Sequence, residues 1–115
     1  VPDAVEFSKS LKEHGVDLVD CSSGGVSPHQ QMDLRPGYQV PFADAVRSGA
    51  EVPTGAVGLI TEATHAEEVL TSGKADVIFL ARELLRNPYW PLHAAIELGD
   101  DVEWPPQYVR SKPGL

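Results

Sequence analysis

Ala75-Asp76-Val77-Ile78-Phe79-Leu80-Ala81-Arg82-Glu83-Leu84-Leu85 is an apolar run that stops at Arg82 and turns directly into a helical pattern. From Ala75 to Leu80 the run is nearly continuous, as expected of a strand covered on both faces. An arginine where such a strand meets a helix is well placed to hold an anion. Upstream, Pro53-Thr54-Gly55-Ala56-Val57-Gly58-Leu59-Ile60-Thr61 is a second strand-like run, and its Gly58 lets a phosphate approach the backbone closely. Two successive parallel strands, one ending near a glycine and the other in an arginine, describe the phosphate site that (β/α)₈ barrels build after strands 7 and 8.

The same alternation runs along the rest of the chain. Asp3 is placed to cap a helix over residues 4–14, with Val5, Leu11 and the stem of Phe7 on one buried stripe and Gly15 at its end. Residues 16–23 read as a strand, ending in Ser22-Ser23-Gly24-Gly25, which can present hydroxyls and backbone N–H groups. Residues 26–39 are rich in Pro, Gly and Gln without a period and read as a long loop. Pro41 opens a helix whose Phe42, Ala45 and Val46 share a face and which Gly49 ends. After the strand at residues 54–60, Thr61 or Thr64 caps a helix through Ala66, Val69 and Leu70 that stops at Gly73. The strand at residues 75–80 then leads through a turn at residues 83–86, broken by Asn87-Pro88, to a last helix at residues 91–98. The expected fold is α/β, with three parallel strands joined by right-handed crossover helices. Residues 1–99 form the folded part and residues 100–115 an extended C-terminal tail.

A chain of 115 residues falls far short of the roughly 250 of a complete (β/α)₈ barrel, so it is expected to be part of something larger. With 42% hydrophobic and 23% charged residues the composition is globular, and no run reaches the ~18 apolar residues of a membrane span. A net charge of -8 opposes nucleic-acid backbones and anionic membrane surfaces alike. The single cysteine, Cys21, excludes an internal disulfide, and the chain opens on Val1-Pro2-Asp3 without a basic signal-like segment. Both features point to the cytoplasm.

Taken singly, each candidate residue has two readings. Arg82 suits an anion, or it pairs on the surface with Glu83 or Glu62. Gly58 marks a ligand approach, or a bend or tight strand packing. Ser22 to Gly25 are residues that turns use constantly. The four histidines, His14, His29, His65 and His93, are dispersed and lack the close spacing of a metal site. Cys21 has no evident base and reads as a buried inert thiol. Trp90 with Leu92, and Trp104 with Pro105-Pro106, suit tail packing or a subunit contact.

Four stretches together resemble the Old Yellow Enzyme family: Asp20-Cys21-Ser22-Ser23-Gly24-Gly25, Pro36-Gly37-Tyr38-Gln39-Val40-Pro41-Phe42, Thr54-Gly55-Ala56-Val57-Gly58-Leu59-Ile60-Thr61 and Ala81-Arg82-Glu83-Leu84-Leu85-Arg86-Asn87-Pro88-Tyr89-Trp90. The match is closest to its bacterial thermophilic-like ene-reductase branch and continues to Pro106-Gln107-Tyr108-Val109-Arg110. The resemblance implies the C-terminal part, about strands 6 to 8, of a TIM (β/α)₈ barrel, with the N-terminal half of the barrel as its missing partner. It further implies an NAD(P)H-dependent flavin oxidoreductase that binds FMN, takes a hydride from NADPH or NADH, and reduces a small-molecule activated alkene. Carried onto these positions, it gives Gly58, Ala81 and Arg82 to the FMN phosphate, and Ser22, Ser23 and Gly24 to the phosphate and ribityl chain. The family usually has glycine where Ala81 stands. Arg110 matches an arginine that reaches the substrate site of a neighbouring subunit, implying a homo-oligomer. The family's substrate-binding pair, its proton-donor tyrosine and the groups beside the flavin ring fall outside this chain, so no catalytic residue and no metal ligand is assigned. The other reading of the 115 residues alone is a catalytically silent phosphate-binding or structural fragment.

Overall fold

The computed structural model describes residues 1–114. Helix α1 (Pro2–Glu13) leads to strand β1 (Val19–Cys21), and a long loop then reaches helix α2 (Val40–Ala50). Strand β2 (Thr54–Ala56), helix α3 (Ala63–Thr71), strand β3 (Val77–Ile78) and helices α4 (Arg82–Arg86) and α5 (Trp90–Glu97) follow, and a 3-10 helix covers Pro106–Ser111. The strands form one parallel sheet in the order β1-β2-β3, so the α/β reading with crossover helices holds. Val19 faces Thr54 across the first ladder and Gly55 faces Val77 across the second.

The ends of the elements are set by backbone hydrogen bonds rather than by hydropathy. At the end of α1 the Val16 N–H bonds back to the Leu11 carbonyl at 3.0 Å, and at the end of α3 the Lys74 N–H bonds back to Val69 at 3.1 Å. Gly15 and Gly73, both at positive φ, make these closures possible. Val16 therefore closes α1, and residues 17–18 are irregular chain leading into β1, which is shorter than its hydrophobic run. Strand β2 stops at Ala56 because Gly58 and Leu59 both take positive φ, at 123° and 51°, and turn the chain out of the sheet.

Several expected boundaries move. Pro2, not Asp3, begins α1, since its fixed φ suits a first helical position and Val1 takes the cap. Glu62 caps α3 without a side-chain bond, in place of Thr61 or Thr64. Gly49 lies inside α2 rather than ending it: a Cβ there would stand 2.7 Å from Val5 Cγ1, so the glycine lets α1 close on α2. Ser8, with its hydroxyl donating to the Ala4 carbonyl at 2.7 Å, is the buried residue of α1, whereas Phe7 is 65% exposed.

The core lies between the helices and one face of the sheet, where Ala43, Val46 and Ala50 of α2 meet Cys21, Ala56 and Val69. Thr54 is wholly buried and donates its hydroxyl to the Ala43 carbonyl at 3.2 Å, which fixes α2 against β2. Strand alternation puts Gly55 on the opposite face, where the Phe79 ring rests on it. Strand β3 is only partly buried, unlike the doubly covered strand expected from its apolar run, since Val77 and Ile78, which point to opposite faces, are both part-exposed.

Beneath the sheet, at the start of β2 and β3, Asp76 ties three segments together. Its carboxylate accepts from the Thr54 N–H at 2.9 Å and from Arg47 Nε at 3.0 Å, while Arg47 Nη1 donates to the Gly73 carbonyl at 2.8 Å. These partners, the Thr54 amide first, hold the Asp76 carboxyl below its ordinary range. Burial, aided by the neighbouring Asp20 charge, pushes the Cys21 thiol up, consistent with an inert core side chain.

The tail differs from an extended one. Pro105-Pro106 starts the 3-10 helix, Lys112 pairs with Asp101, and the Tyr108 ring meets Tyr89 edge-on at 5.3 Å. These contacts fold the tail back onto α5.

Candidate functional site

Because β2 and β3 are parallel and in register, the loops that leave them open on the same side of the sheet. Between those loops lies a cavity of about 230 Å³. The β2 side contributes Gly58, Leu59 and Thr61, and the β3 side contributes Phe79, Ala81, Arg82, Glu83 and Arg86. A third wall comes from Tyr38 and Gln39, in the turn that enters α2.

Each wall is held in place. The Gly37 N–H donates to the Gly58 carbonyl at 2.9 Å, joining the turn to the β2 loop. Gln39 is buried; its Nε2 donates to Tyr38 Oη at 3.0 Å and its Oε1 accepts from the Ser23 N–H. Trp90 Nε1 donates to the Thr61 carbonyl at 2.9 Å, tying α5 to the opposite rim. Gly58 cannot be replaced freely, since a Cβ would lie 2.9 Å from Tyr38 Cε1 and 3.1 Å from Gln39 Nε2. Consecutive positive φ values at Gly58 and Leu59 are the kind of backbone strain that concentrates at binding sites.

The charges in the cavity are unequal. Arg82 is exposed and forms no ion pair among the described residues, so neither Glu83 nor Glu62 claims it. Glu83 is taken by Arg86, whose Nη2 and Nε donate to its Oε2 at 2.7 and 3.1 Å. A free guanidinium beside a glycine backbone, with one neutralised carboxylate, fits a phosphate monoester. Ala81 has φ -114°, in the half of the map open to L residues, so its methyl meets no penalty of the kind only glycine escapes.

Of the residues singled out from the sequence, Gly58, Ala81 and Arg82 come together on this cavity. Ser22 and Ser23 instead line a separate apolar groove with Phe7, Cys21 and Phe42, and Ser23 communicates with the cavity only through Gln39. Gly24 packs against Met32 and Gln30. Arg110 stands exposed on the 3-10 helix, outside the cavity lining. Tyr38 and Gln39 were not among the candidates read from the sequence. The signals for them were the Pro36-Gly37 turn set before a helix start and their place in one of the four stretches that carry the resemblance. Among the described residues no three His, Cys, Asp or Glu side chains gather as metal ligands, and no helix is long and apolar enough to cross a membrane.

The family model for the NADH:flavin oxidoreductase / NADH oxidase family matches residues 2–101. The chain belongs to this family. The resemblance to Old Yellow Enzymes is thereby borne out, and the matched span includes all four quoted motifs. Relatives called NADPH dehydrogenase are 61% identical over 110 residues in Geobacillus thermodenitrificans, 57% over 111 residues in Bacillus licheniformis and 54% over 109 residues in Halalkalibacterium halodurans. These alignments take in 95 to 96% of this chain but 32% of each relative, so the chain spans about a third of the relatives' length. FMN and a nicotinamide reductant are the cofactors that the family description and the relatives' names call for.

Proposed function

We propose that residues 1–99 are the closing part of an FMN-binding (β/α)₈ barrel, with residues 100–115 as its tail, and that they supply the site for the FMN phosphate. One observation carries this reading: Arg82, free of ion pairs among the described residues, shares a cavity with Gly58 at the carboxyl ends of two adjacent parallel strands. The parent activity is that of an NAD(P)H-dependent oxidoreductase of the ene-reductase type. Bound flavin supplies the hydride relay from NADPH or NADH to an alkene activated by a carbonyl or nitro group.

The chain's own residues have anchoring duties. Arg82 gives the phosphate its countercharge, and the Ala81-Arg82 backbone offers N–H donors beside it. Gly58 leaves room for the anion against the β2 loop, and the Tyr38-Gln39 turn backs that loop. Ser22, Ser23 and Gly24 enter this reading as supports of the ribityl side, with Ser23 acting through Gln39. The substrate-binding pair and the proton donor belong to other parts of such an enzyme; of this chain's residues only Arg110, reaching a neighbouring subunit, serves the substrate side. The 32% span favours a companion reading for the isolated 115 residues, namely that they perform no catalysis alone.

The test uses a hybrid enzyme in which this chain replaces the matching third of the Geobacillus thermodenitrificans relative. Arg82→Ala should weaken FMN binding by about 1.5 to 3 kcal/mol, the range for a hydrogen bond to a charged group, and slow NADPH oxidation less at saturating FMN. Equal FMN affinity in the two proteins removes Arg82 from the site. The companion reading fails if the 115-residue chain alone oxidises NADPH when FMN is added.

A further inference from the structure

Three charged side chains line the cavity, and their pairing is selective. Arg82 has no ionic partner among the described residues, whereas Arg86 grips Glu83 through two N–H groups at 2.7 and 3.1 Å. Glu83 is the more enclosed member of the pair, with 22% of its side chain exposed against 62% for Arg86. An i,i+3 pair on an exposed helix face adds little to stability. Its greater consequence lies in where it leaves the carboxylate. Glu83 borders the same cavity as Arg82, so an unpaired Glu83 carboxylate would draw on the Arg82 charge across that cavity and repel an incoming dianion.

We infer that Arg86 is a positioning residue of this cavity: by holding and neutralising Glu83, it keeps Arg82 available for a phosphate monoester. The inference rests on the phosphate reading proposed above. Arg86 need not touch the ligand. Its effect passes through Glu83 and falls on the phosphate alone, because the ring and ribityl chain of a flavin carry no charge for Glu83 to repel.

The experiment compares FMN with riboflavin, which lacks the phosphate, by fluorescence titration of the hybrid enzyme. Arg86→Gln should weaken FMN roughly tenfold, the scale of a partly screened like-charge contact, and leave riboflavin within about twofold. Glu83→Gln combined with Arg86→Gln should return FMN affinity to within about twofold of the parent, since the competing charge is gone. Arg86→Lys, which keeps a cation for Glu83, should lie near the parent and shows whether a loss in Arg86→Gln comes from misfolding. The inference is overturned if Arg86→Gln leaves FMN binding unchanged, if FMN and riboflavin weaken alike, or if the double variant binds FMN as poorly as the single one. A parent hybrid that binds FMN no better than riboflavin defeats the phosphate reading itself, a result distinct from the other three.

Discussion

The Gly37 N–H donates to the Gly58 carbonyl at 2.9 Å, and this bond recruits a loop without periodicity into the wall of the cavity. Gly37 is itself wedged: a Cβ there would stand 2.8 Å from the His65 ring on α3. The turn at residues 36–39 is thus clamped between α3 and the β2 loop, and Tyr38 and Gln39 gain fixed positions beside Gly58. Anchoring of a ligand by a loop becomes affordable when the loop is already ordered.

Gly58→Ala is expected to injure both the fold and the site. Its φ of 123° is one that L side chains rarely adopt, and the added methyl would press on Tyr38 at 2.9 Å and Gln39 at 3.1 Å. The combined cost should be about 1 to 3 kcal/mol, the range for a non-glycine residue forced into a sparsely populated conformation. Urea denaturation of the hybrid enzyme should show the lower stability, and FMN titration the weaker binding. Wild-type values in both would mean that the loop relaxes and that Gly58 is not required.

Much of the site could be read from residue order because two adjacent parallel strands must open their loops on one side. That rule alone brings Gly58 and Arg82 together once β2 and β3 are recognised. The Ser22-Ser23 segment follows the same logic but ends elsewhere: β1 is an edge strand, and its exit turns toward the groove containing Phe7 and Phe42. Gln39 was hidden because a buried glutamine in an aperiodic loop has no hydropathic signature. Only its bonds to Ser23 and Tyr38 show why it is buried. Strand lengths were overestimated, since apolar runs continue where ladder hydrogen bonds have already given way to helix closures and to the turn at Gly58.

The Asp76 knot gives a pH signature. Its carboxyl is held below its ordinary value, first by the Thr54 N–H and then by Arg47, so the folded state favours the ionised form. The associated stability is fully present above the unfolded carboxyl's pKa of about 3.9 and is lost as pH falls through the lower folded value. Asp76→Asn keeps an acceptor for Thr54 but loses the charge facing Arg47. Its urea midpoint should lie below the parent's at pH 7, and the gap should close as acid protonates Asp76 in the parent. A gap that stays constant into acid would assign the loss to packing instead of charge.

On its own, the chain should associate. Strands β1 and β3 are both edges of the sheet, and apolar side chains stand open beside them, with Phe7 65% and Phe79 39% exposed. Unpaired parallel edges flanked by such surface are templates for further contact. Sedimentation of the 12.4 kDa chain should therefore give species heavier than a monomer. A monomer with strongly protected amides in β1 and β3 would show that the edges are self-sufficient.

Arg110 is the residue whose proposed role depends most on assembly. It is exposed, absent from the lining of its own chain's cavity, and carried on a 3-10 helix that Tyr108 fastens to Tyr89 on the approach to α5. The tail is folded back by the Lys112 pair with Asp101, so Arg110 is presented outward from a fixed base instead of sweeping on a free end. A rigidly mounted guanidinium loses little entropy on binding, which suits it to complete a neighbouring subunit's substrate site and orient a carbonyl there. Co-expressing an Arg110→Ala hybrid with an Arg82→Ala hybrid separates the alternatives, provided the assay uses limiting FMN so that the Arg82→Ala subunits remain empty. If the arginine acts in trans, mixed dimers regain NADPH-dependent alkene reduction, because the flavin-loaded Arg110→Ala subunit receives Arg110 from its partner. Activity no higher than that of the Arg110→Ala protein alone would place Arg110 in its own subunit or outside the reaction.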